Sequence, residues 1–110
     1  MNFKDLSNLI DKGLNAKSNY QYVVICHLVS QRGLKDIKEN ICNSLIKNNQ
    51  GQKRQNGDLC DVAHYMSCPV WFVLKNKGLI SIENKLVTLQ IELTNDQRVK
   101  LSSQCKGYFK

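Results

Sequence analysis

The sequence predicts an α+β domain, mostly helical, and three observations carry that prediction. Apolar residues recur at helical spacing through most of the 110-residue chain. One stretch, "LISIENKLVTLQI", alternates instead, as a hairpin does. The helical stretch before it, "PVWFVLKNKG", reaches that hairpin with only a glycine at the junction. The length suits a single core, and 42% hydrophobic with 23% charged residues is the balance of a globular chain rather than a disordered one.

The first element is "FKDLSNLIDKGLN", where Phe3, Leu6, Leu9, Ile10 and Leu14 share a helical face and Gly13 loosens the end. Residues 1–17 read as an N-terminal helical arm, and residues 18–110 as the domain proper. In "SNYQYVVICHLVSQRG", Ser18 is the expected N-cap, Val24, Ile25, Leu28 and Val29 form the stripe, and Gly33 suits a left-handed C-cap. "DIKENICNSLIKNN" follows at once, with Asp36 as expected N-cap, Glu39 in capping-box position, and Ile37, Ile41 and Leu45 on one face.

Residues 48–58, "NNQGQKRQNGD", contain no apolar side chain and read as a loop carrying Lys53 and Arg54. A helical pattern resumes in "LCDVAHYMSCPVWFVLKNKG", where Pro69 either opens a helix behind Ser67 or Cys68 or kinks a longer one, and Gly78 ends it. The hairpin turns at Asn84-Lys85. "TNDQRVKLSSQCKGYF" opens with the capping box Thr94 to Gln97, spaces Val99, Leu101 and Cys105 near-helically, and ends on Tyr108 and Phe109.

The order is helix, helix, connector, helix, loop, helix, hairpin, helix. It predicts a winged helix-turn-helix with an extra N-terminal and an extra C-terminal helix. In such a fold the helix before the hairpin lies in a DNA major groove and the hairpin tip meets backbone or minor groove. Sixteen Lys and Arg against nine Asp and Glu give a net charge of +7, which favours an anionic partner such as nucleic acid or anionic lipid. No run of apolar residues is long enough for a membrane span and the N-terminus lacks the apolar run of a signal peptide, so the expected setting is cytoplasmic, with no membrane partner. The five cysteines are odd in number, show no C-x-x-C pair and read as reduced and packed.

Three stretches, "NYQYVVICHLV", "PVWFVLKNKGLI" and "LTNDQRVKLSSQC", resemble the winged-helix domains attached to bacterial restriction endonucleases and HNH-type nuclease proteins. The likeness covers roughly residues 19 to 109 and departs from the family at Tyr22, where a proline is usual. It implies a module that recognises particular or modified DNA sequences, joined to a nuclease domain outside this chain.

Cys60, His64 and Cys68 fall at i, i+4 and i+8, a spacing that can hold zinc, but a fourth ligand is missing, so no metal is expected and the thiols read as packed. A carboxylate pair with a lysine, as metal-assisted phosphodiester cleavage requires, is not apparent, and "IENK" is accounted for by the turn it occupies. No Ser/His/Asp or Cys/His arrangement could be placed and no phosphate loop occurs, so the chain is expected to be neither an enzyme nor cofactor-dependent.

Trp71 and Phe72 are divided between core and base stacking, with at least one expected in the core. The expected partner is double-stranded DNA, met by Lys53, Arg54, His64, Tyr65, Ser67, Lys75, Lys77 and Lys85. The rival readings are a winged helix used for protein docking or dimerisation, and a free-standing transcriptional regulator.

Overall fold

The computed structural model of the protein describes residues 2–14, 20–48 and 61–108. It is α+β and mostly helical, in the order α1 (Phe3–Leu14), α2 (Tyr20–Val29), β1 (Lys35–Ile37), α3 (Lys38–Asn48), α4 (Val62–Met66), α5 (Val70–Asn76), β2 (Ile80–Glu83), β3 (Leu86–Leu89) and α6 (Asn95–Gln104), closed by a 3-10 turn at Cys105–Tyr108. Among the described residues, no helix is long and apolar enough to cross a membrane.

Helix α2 is the central element. Val23, Val24, Ile25, Cys26, Leu28 and Val29 are all buried, so it is apolar around most of its circumference, as a helix surrounded by other elements must be. Leu6 and Ile10 of α1, Ile41 and Leu45 of α3, Tyr65 of α4, Leu74 of α5 and Leu101 of α6 join it in one core. Gly13 is a packing glycine rather than a loosened end: a Cβ there would collide with the Tyr22 ring and the Tyr108 hydroxyl.

The sheet is antiparallel with strand order β1-β3-β2. β1 pairs Lys35 with Thr88 and Ile37 with Leu86, while β2 pairs Ile80 with Leu89 and Glu83 with Leu86. The hairpin tip falls at Asn84 and Lys85, with φ of 47° and 70°, the two left-handed residues that a tight two-residue turn requires. Ahead of it, Gly78 at φ 73° ends α5: its N–H donates to the Lys75 carbonyl at 3.0 Å and the Leu79 N–H to the Leu74 carbonyl at 3.1 Å. That pair of bonds is the Schellman arrangement, and it delivers the chain into β2. Helix α6 starts with the expected box, Gln97 N–H to Thr94 Oγ1 at 3.2 Å and Thr94 N–H to Gln97 Oε1 at 3.1 Å.

Three expectations are corrected. Residues 35–37 form a strand, so Asp36 does not cap α3, and Ile37 lies 44% exposed instead of on the buried face. Helix α2 stops at Val29, and the left-handed residue in the following turn is Leu34 (φ 57°) rather than Gly33. The Leu34 carbonyl accepts from Leu89 N–H at 2.8 Å, which holds the turn to the sheet. Pro69 takes the first of its two expected roles and opens a helix: it stands at the N-cap of α5 with φ of −58° and ψ of −15°, its carbonyl accepting from Val73 N–H at 3.0 Å, and α4 ends before it at Met66. Finally, the cysteines are not all reduced: Cys26 and Cys105 are joined across 79 residues of sequence, because the 3-10 turn brings Cys105 against α2. Cys42 is a buried thiol and Cys68 a half-buried one. Burial pushes the Cys42 thiol up to about 11, which keeps it protonated and inert.

Candidate nucleic-acid interface

Helix α5 sorts its residues cleanly. Val70, Trp71 and Leu74 point inward, and Pro69, Phe72, Lys75 and Asn76 form the exposed stripe, Phe72 at 69% exposure. Trp71 is 4% exposed and its indole N–H donates to the Tyr65 carbonyl at 2.8 Å, tying α5 to α4. Of the aromatic pair, Trp71 is therefore core and Phe72 is surface.

Lys38 links this helix to the hairpin. Its backbone N–H donates to the Lys85 carbonyl at 2.8 Å, while its ammonium stands 5.0 Å from the centre of the Trp71 ring. The start of α3, the hairpin tip and α5 thus meet at one residue, and Lys75 lies one turn beyond Trp71 on the same helix.

The predicted contact residues fall out differently. Lys75 and Lys85 are exposed beside this junction. Lys77 is also exposed, but its Nζ donates to Gln21 Oε1 at 3.2 Å, on the side where α2 and α5 border a cleft of about 320 Å³. Ser67 is exposed at the end of α4, its hydroxyl donating to the Ala63 and His64 carbonyls at 3.2 and 3.1 Å. The His64 ring is half-buried, 5.2 Å edge-on from that of Tyr65.

Tyr65 is corrected: it is 0% exposed and packs edge-on at 5.8 Å against Tyr20, so it cannot reach a ligand. Tyr65 is the one fully buried residue of the short helix α4, which ends at Met66 before the proline. Lys53, Arg54 and Cys60 lie outside the described residues, as do Ser18 and Phe109. Among the described residues, no group of three His, Cys, Asp or Glu side chains could hold a metal ion. Sequence reasoning missed Lys38 and Asn76. Asn76 was legible as the residue one turn after Phe72, whereas Lys38 required the strand before it.

A Ser/His/Asp line does exist, contrary to the sequence reading. His27 Nε2 lies 2.8 Å from Asp36 Oδ2, and Nδ1 lies 2.7 Å from Ser44 Oγ. The carboxylate only accepts, so Nε2 carries a proton there. Asp36 Oδ1 also accepts from Ile37 N–H at 2.7 Å and Asn40 Nδ2 at 2.9 Å. Burial pushes the Asp36 carboxyl up, but these hydrogen bonds outweigh it and leave the group below its ordinary 3.8. With both ring nitrogens engaged, the line works as a brace joining α2, β1 and α3.

No protein-family model, curated protein or solved structure matches this chain.

Proposed function

We propose that this chain is a winged-helix domain that binds double-stranded DNA, with α5 as the recognition helix and β2–β3 as the wing. The observation that carries the reading is the Lys38 junction. A short helix with one exposed stripe runs through a glycine turn straight into a three-stranded sheet, and Lys38 ties the sheet tip at Lys85 to the Trp71 ring of that helix, which also carries the exposed Lys75. A helix stripe of that kind fits a major groove, and lysines on the helix and at the sheet tip suit the phosphates that border the groove. The net charge of +7 supports the same partner. In this reading the domain is a recognition module of a restriction- or nuclease-type system, and strand cleavage belongs to a separate domain.

The test is binding of the full chain to random-sequence duplexes over a range of salt. Counterion release makes the logarithm of affinity fall linearly with the logarithm of salt concentration, with a slope set by the number of phosphates met. A slope indistinguishable from zero, or no binding at low salt, would refute the reading.

A further inference from the structure

Among the described residues, Phe72 is the most exposed of the large apolar ones, at 69%, on a helix that draws Val70, Trp71 and Leu74 inward. Nothing in the fold requires a phenyl ring there, since the stripe it belongs to is otherwise polar or small: Pro69, Lys75 and Asn76. Resting on the DNA-binding reading, we propose that Phe72 is a specificity-determining residue that reads the C5-methyl group of a pyrimidine in the major groove.

The chemistry of the groove leads to this assignment. Each base pair presents a distinct pattern there, and the only apolar feature among the four standard bases is the thymine C5-methyl; 5-methylcytosine presents the same group. A ring in the middle of a helix is placed for the major groove, which admits a helix, rather than for the minor groove, where apolar wedges kink the duplex. Asn76 lies four residues on, along the same stripe. At about 1.5 Å of rise per residue that is roughly 6 Å, close to two base-pair steps. An asparagine amide donates to N7 and accepts from N6–H of adenine, so the stripe as a whole suits an A·T-containing site: methyl under Phe72, adenine under Asn76. Lys75, beside them, meets a guanine edge or the adjacent phosphate.

The experiment uses the full chain and four pools of random duplex: unmodified, uracil in place of thymine, 5-methylcytosine in place of cytosine, and both replacements together. Uracil keeps every hydrogen-bonding group of thymine and lacks only the methyl. Wild type is expected to bind the uracil pool about four- to tenfold more weakly than the unmodified pool if thymine is read, since burial of one methyl-sized group is worth about fourfold and a full contact somewhat more. A matching gain on the 5-methylcytosine pool identifies methylated cytosine as the source. Phe72→Ala should equalise the pools while keeping the wild-type salt slope and melting temperature, and Phe72→Leu should restore part of the discrimination. Equal binding of all four pools by a wild-type protein that shows a normal salt slope overturns this inference and leaves duplex binding intact. Failure to bind any pool overturns duplex binding itself, and the methyl reading with it.

Discussion

The two ends of the molecule use their side chains in opposite ways. At the end built by α1, α6 and the 3-10 turn, polar groups are spent on one another. Gln104 accepts from Ser7 Oγ at 2.7 Å and donates to the Ser7 carbonyl and to Asp11, and the Tyr108 hydroxyl donates to the Ile10 carbonyl at 3.0 Å. Burial pushes the Tyr108 hydroxyl up to about 12, so it stays a donor. The Cys26–Cys105 bond closes the same end. At the end built by α5 and the hairpin, an apolar ring and several cations face outward instead. One end is organised to hold the fold, the other to meet something, so substitutions should divide into those that move melting and those that move binding.

The sharpest test of that division lies at the root of the outward end. Tyr65→Ala is expected to cost about 3–5 kcal/mol, because a fully buried aromatic leaves a cavity, and duplex binding should fall only in proportion to folded protein. Thermal melting followed by binding at a temperature where the variant is folded separates the two effects. If the folded variant binds more weakly across all duplexes, the boundary between the ends has been drawn in the wrong place.

Cys105→Ala comes next. Loss of a bond that closes so long a loop is expected to cost about 2–4 kcal/mol. Chemical denaturation should register the cost, and the salt slope of binding should not change.

A smaller effect is expected at the brace between the ends. Asp36 ionises below its ordinary 3.8 in the fold, so it contributes stability above that pH, and the contribution is lost as pH falls through the lower folded value. Asp36→Asn should therefore cost about 1–2 kcal/mol near neutrality and flatten the decline of melting temperature as pH falls below the ordinary 3.8. A variant that declines as steeply as wild type would remove Asp36 from the brace.

The smallest stability effects belong to the outward face. Lys75→Ala and Lys85→Ala should each shift stability by less than about 0.5 kcal/mol. Each should lower the salt slope of duplex binding by about one. Titration at several salt concentrations measures this directly, and a slope that does not move in either variant would take the lysines off the phosphate backbone.

What was legible in the sequence was mostly local. Gly78, the Asn84-Lys85 turn and the Thr94 box announce themselves because each acts through residues within a few positions of itself. Strand β1 was not legible: its three residues, Lys35 to Ile37, have no alternation worth reading, and they are extended because β3 is there to pair with them. Asp36 looked like a helix cap for the same reason, since without the strand its side chain had no other evident use. The aromatic pair of α5 was half legible: one of Trp71 and Phe72 was expected in the core, but only the fold shows that it is Trp71. The Cys26–Cys105 bond and the Ser44–His27–Asp36 line were not legible, because tertiary packing alone brings those residues together.

Trp71 is the chain's single tryptophan. Its buried indole lies beneath the Lys38 ammonium and one residue from Phe72. The molecule therefore carries its own optical reporter at the one place where it is needed. Excitation at the red edge of protein absorbance selects this ring alone, and its emission should be blue-shifted in the free protein. A polyanion that draws the ammonium away from the ring would change the emission intensity without any added label.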